Sequence, residues 1–121
     1  MFKIKDKIIC NKNNQDFFKM LIHFEILVTY TIFLIEKNNS KEIFHFYNYI
    51  FEQYIPEKVY NLDNIDYKAV FTGEYAREGI SIYTKLLELW KILQEKGMFD
   101  LEELDILKRT QKEIHKALKQ I

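Results

Sequence analysis

Two pairs of residues in this chain have the spacing that chemistry asks for. Glu42 and His45 stand three apart, in the run Glu-Ile-Phe-His. On a helix, residues three apart share a face, so the pair could offer a carboxylate and an imidazole to one metal ion. An inward-facing di-metal site needs two such pairs and two further glutamates. Only one pair is present, and a helical wheel places it on a polar face, so a solvated surface pair is expected and no metal. Arg109 and His115 stand six apart, in the run Arg-Thr-Gln-Lys-Glu-Ile-His. A guanidinium can stabilise charge that builds on a phosphate, and an imidazole can accept and return a proton near neutral pH. Those are the two requirements of phosphodiester cleavage.

This R-x5-H spacing resembles the R-x4-6-H motif of the HEPN ribonuclease superfamily. The resemblance covers seven residues and an all-helical fold class. It implies a small helical domain that dimerises and brings Arg109 and His115 of two copies together at a composite RNA-cleaving site. The family often carries Asn, Asp or His directly after the Arg, where this chain has Thr110.

The same segment also carries a basic stripe. Lys108, Lys112, His115, Lys116 and Lys119 fall within about 100° of one another on a helix, with Arg109 at the border. From residue 104 onward there are five basic and two acidic side chains. Cations near a helix C-terminus complement its dipole, which explains the stripe without a ligand. A phosphate backbone or an acidic partner surface is the functional alternative. A helix-turn-helix reader is not expected, because the segment opens with Asp100, Glu102, Glu103 and Asp105, whereas recognition helices present their N-terminal residues to bases. Gly73 and Gly79 form no phosphate loop.

Composition narrows the field further. Lys plus Arg and Asp plus Glu number 18 each, so the formal net charge is zero. A general nucleic-acid binder would show a basic excess. One cysteine, Cys10, can make no internal disulfide. With no secretory leader expected, the reading is a cytoplasmic protein without cofactors. The wealth of Lys, Asn and Ile fits an AT-rich bacterial or phage coding sequence. At 121 residues and 48% apolar composition, one domain spanning 1–121 with a genuine core is expected.

The elements that must position these residues are helical. Three glycines and one proline are too few for a turn-rich β-fold. Phe17–Ile35 is the most apolar stretch. At about 100° per residue, Lys19, His23, Glu25, Thr29 and Glu36 fall in one half of the wheel, with Phe17, Met20, Leu21, Phe24, Leu27, Val28 and Leu34 opposite. That pattern predicts an amphipathic helix. Its internal charges each cost about 3 kcal/mol at a bilayer centre, so no membrane span is expected. A strand at Ile26–Ile35 is the competing reading, because β-branched and aromatic residues crowd there.

Ser40 is the expected N-cap of a second helix to about Tyr54, ended by Pro56. Leu62, Asp63 and Tyr67 have the cap-and-staple pattern of a short helix. A long helix follows from about Glu74 to Lys96, with Gly97 as its left-handed terminator. Asp100 and Glu103 have capping-box spacing, and Phe99 and Leu104 form a staple, opening a last helix to about Gln120. Leu104, Leu107, Gln111, Ile114, Leu118 and Ile121 mark its expected buried seam. The short turn at 97–100 predicts an antiparallel hairpin. The whole is an all-α bundle of four or five helices, with a possible strand or arm at 1–9.

Ten Phe, eight Tyr and one Trp are more rings than one small core readily hides. Exposed aromatics mark interfaces. Tyr47, Tyr49 and Tyr54, with Lys108, Lys112, Lys116 and Lys119, are therefore the candidate partner-binding residues. The expected function is protein–protein interaction by a regulator of the kind found among phage or mobile-element inhibitors, immunity proteins and antitoxins. That comparison is fold-level analogy. Self-association into a homodimer is also expected. The ribonuclease and the nucleic-acid binder are the alternatives.

Overall fold

The computed structural model describes residues 14–54 and 76–120. Among them are four α-helices and no strand: α1 (Asn14–Glu36), α2 (Ser40–Phe51), α3 (Ala76–Lys96) and α4 (Leu101–Lys119). A short 3-10 turn, Glu52–Tyr54, follows α2. The possible N-terminal strand, Cys10, Pro56, and the short helix expected at Asp63 all lie outside the described residues.

The Ile26–Ile35 stretch is helical throughout. Its β-branched composition yields to burial, since Met20, Leu21, Phe24, Leu27, Val28, Ile32, Leu34 and Ile35 all line one core at helical spacing. Thr31, also buried, donates its hydroxyl to the Leu27 carbonyl at 2.6 Å, so the helix absorbs its polar group internally. By length and composition Phe18–Glu36 could cross a bilayer, and half of that window is buried in the protein.

The turn after α1 is built on Asn38, whose φ of 56° is left-handed, and Asn39 donates back to Leu34 at 2.9 Å. Asn tolerates this region better than other residues with a Cβ. The N-cap of α2 is Asn39, one residue before the expected Ser40, which is the first helical residue. Ile43, Tyr47, Phe51 and Tyr54 then point inward.

α3 and α4 meet through the turn foreseen from Gly97, where φ is 76° and the amide donates to Leu93 at 2.7 Å. The capping box opens α4, with Glu103 accepting the Asp100 backbone N–H at 2.6 Å. Phe99 is buried beside it. The buried face of α4 is Glu103, Leu107, Thr110, Ile114 and Ala117. The expected seam is therefore rotated: Leu104 and Leu118 only flank the core, and Thr110 and Ala117 occupy its line.

α1 packs most extensively on α4 and next on α2, while α3 rests on α4 and more lightly on α2. A single core joins all four helices. Its polar groups are satisfied. Tyr47 donates to the Leu86 carbonyl and Tyr83 to the Tyr54 carbonyl, both at 2.5 Å. Among the described residues no buried side-chain N or O lacks a partner.

Candidate interaction surface

The two motifs with catalytic spacing are not assembled within the chain. Arg109 and His115 share α4 but stand about 120° apart around it and about 9 Å apart along it. Arg109 is held by Asp105 one turn back, at 3.1 Å. His115 Nε2 lies 3.3 Å from the Glu25 carboxylate on α1. Thr110, between them, faces the core and donates to the Ile106 carbonyl at 2.8 Å. Glu42 and His45 are both exposed on α2. No group of three His, Cys, Asp or Glu side chains suited to a metal occurs among the described residues.

The basic stripe divides. Lys108 lies 3.7 Å from Glu36. Gln111 donates to Thr29 at 2.9 Å, and Thr29 donates to Glu25 at 2.7 Å. With His115 on Glu25, these contacts form a polar seam whose order rises along α4 and falls along α1. On the other flank of α4, Glu113 accepts from Ser81 at 2.6 Å and from Lys85 at 2.8 Å on α3. Lys112, Lys116 and Lys119 remain exposed and make no ion pair among the described residues.

The tyrosines divide as well. Tyr47 and Tyr54 are core residues, and this corrects their place among the candidate surface residues. Each has a hydroxyl partner inside the fold, the Leu86 carbonyl for Tyr47 and His23 Nδ1 for Tyr54, so each ring can be buried with its polar end satisfied. Burial also pushes the Tyr47 phenol well above its ordinary pKa. Tyr49 alone of the three is at the surface, 73% exposed.

Among the described residues, a group of exposed apolar side chains lies on α1. Ile26, Tyr30 and Phe33 are each exposed by two-fifths or more on α1. Tyr30 and Phe33 stack at 5.8 Å between centroids, and Phe46 of α2 meets Tyr30 edge-on at 4.7 Å. Lys37 caps the Phe33 ring at 5.7 Å. Phe18 is also exposed on α1, at the azimuth of Glu25, Thr29 and Glu36. On the wheel all three of Ile26, Tyr30 and Phe33 fall inside the half assigned to charge, Phe33 and Ile26 between Thr29 and Lys19 and Tyr30 between Lys19 and His23. A sector bounded by charges but filled with Ile26, Tyr30 and Phe33 is not a solvated face. Glu25, Thr29 and Glu36 are polar because they meet α4, which leaves the apolar sector outward. Comparison with known proteins returns no matching family model, no matching curated protein and no matching solved structure.

Proposed function

We propose that this chain is a helical bundle, closed by a C-terminal antiparallel hairpin, that acts by binding another protein through the Ile26, Tyr30, Phe33, Phe46 and Tyr49 strip. The observation that carries the reading is the strip itself. Tyr30, Phe33 and Phe46 are in ring contact across two adjacent helices, with Ile26 exposed one turn before Tyr30 on α1 and Tyr49 exposed three residues after Phe46 on α2. Aromatic rings held rigidly by neighbours bring large contact area at little entropic cost, which is why they dominate binding energy. Completing the burial of one such ring contributes about 1–2 kcal/mol. The ribonuclease alternative has less behind it, because Arg109 and His115 would have to leave Asp105 and Glu25 and meet a second copy.

The test is affinity capture from the native host with three baits: the wild type, Tyr30→Asp with Phe33→Asp, and Lys116→Glu. The reading expects a protein retained by the wild type and by Lys116→Glu but lost from the double variant. Retention of the same proteins by all three would refute it. Should Lys116→Glu alone lose its ligand, the exposed Lys112, Lys116 and Lys119 would be the site. A phosphate-backbone ligand would then release steeply with added salt.

A further inference from the structure

Asn48 of α2 meets Trp90 and Gln94 of α3 along the line where the two helices adjoin. Its side-chain oxygen accepts two hydrogen bonds, from the Trp90 indole at 2.7 Å and from the Gln94 amide nitrogen at 2.8 Å. An indole N–H can only donate, so the atom it meets must be the Asn48 oxygen. The Gln94 atom on that same oxygen must then be its NH2. Both carboxamides are thereby locked in one orientation, and each has one end left over: Asn48 its NH2, Gln94 its oxygen.

Neither leftover end has a partner among the described residues. No buried side-chain nitrogen there lacks a partner, so the Asn48 NH2 reaches solvent, and Gln94 is exposed. The surface therefore presents a fixed donor beside a fixed acceptor. Trp90 and, one turn before Asn48, Phe44 are part-buried apolar neighbours. A residue in an extended chain directs its own N–H and C=O to the same side, which is the complementary pair. Glu52, four residues after Asn48, and Glu95, next to Gln94, are exposed carboxylates that disfavour a phosphate backbone. Lys91, next to Trp90, is already engaged.

We infer that Asn48 and Gln94 form a clamp for the main chain of an extended peptide segment. The Asn48 NH2 donates to the carbonyl of one peptide residue, and the Gln94 oxygen accepts from the N–H of that residue. The clamp rests on the reading that the partner is a protein, and it lies about 100° around α2 from Tyr49 of the aromatic strip.

The test selects short peptides from a phage-displayed random library on the full chain and titrates them as synthetic peptides. Trp90, the only tryptophan in the chain, reports binding by its fluorescence. Asn48→Asp keeps the oxygen that Trp90 and Gln94 need and replaces only the outward donor. It is expected to weaken binding at least about tenfold with an unchanged circular dichroism spectrum. Gln94→Ala, at an exposed position, is expected to weaken it about fivefold. Methylating one main-chain nitrogen of the peptide should cost a similar factor, and Tyr30→Asp with Phe33→Asp should cost nothing. Peptides lost from that double variant but held normally by Asn48→Asp would overturn the clamp and leave the strip reading intact. Failure to enrich any peptide, or peptides indifferent to methylation at every main-chain nitrogen, would also overturn it. So would a mixed-sequence single-stranded oligonucleotide that binds in place of peptide and is lost in Asn48→Asp, since a base edge also offers a donor beside an acceptor.

Discussion

His115 on α4 meets Glu25 on α1, at 3.3 Å, across a separation of 90 residues. One of the two side chains with catalytic spacing is thereby a member of the seam that joins the first helix to the last. Both partners are partly exposed, and exposed pairs of this kind contribute about 0.2–1 kcal/mol. His115→Ala should therefore cost less than about 1 kcal/mol in urea denaturation, with unchanged slope. It should also leave any RNA-cleaving activity of the preparation unchanged. Loss of a cleavage activity in His115→Ala and Arg109→Ala alike would instead support the ribonuclease alternative.

Thr110 offers a complementary check. It fills a core position on α4 with its hydroxyl turned back to Ile106. Thr110→Asn, the residue type that HEPN ribonucleases often place after their Arg, would bury a larger amide with more polar groups than the one Ile106 carbonyl that now accepts from Thr110 satisfies. A loss of about 1–3 kcal/mol is expected in the same assay.

How much was legible in the sequence follows from where each residue's partners lie. The α3–α4 turn was legible because its determinants are local: Gly97 needs a left-handed φ, and Glu103 caps Asp100 three residues away. The buried line of α4 was not, because a count of apolar residues passes over Thr110 and Ala117 and over Glu103, which is buried by serving the cap. Tyr47 and Tyr54 were named as candidate binding residues from the number of aromatic rings, which does not say which rings find a partner inside. Their hydroxyl partners are Leu86 and His23, both more than thirty residues distant. The aromatic strip was half legible, since the wheel contained it but nothing local says that Glu25, Thr29 and Glu36 are turned toward α4.

Glu103 is nearly fully buried, accepts the Asp100 amide and lies 3.6 Å from Lys96. Glu103→Ala should remove the cap and cost about 1–2 kcal/mol, visible as a lower denaturation midpoint.

Tyr47 contributes to the alkaline limit. Its burial disfavours the phenolate, so the folded protein holds a proton that the unfolded chain releases at about pH 10. The contribution is complete below that pH and is lost as pH rises above it. Stability should fall steeply above pH 10 in the wild type and less steeply in Tyr47→Phe. At pH 7 that variant should be about 1 kcal/mol less stable, having lost its bond to the Leu86 carbonyl.

The central claim, that the aromatic strip on α1 and α2 is a protein-binding surface, is tested most directly by site-specific photocrosslinking in the native host. A photoreactive phenylalanine derivative is placed at Tyr30, Phe33 or Tyr49 and, as a control, at the exposed Arg109 on α4. The expected result is one discrete protein adduct shared by the three strip positions and missing from position 109. Equal diffuse labelling at all four positions, or a discrete adduct at 109 alone, would contradict it.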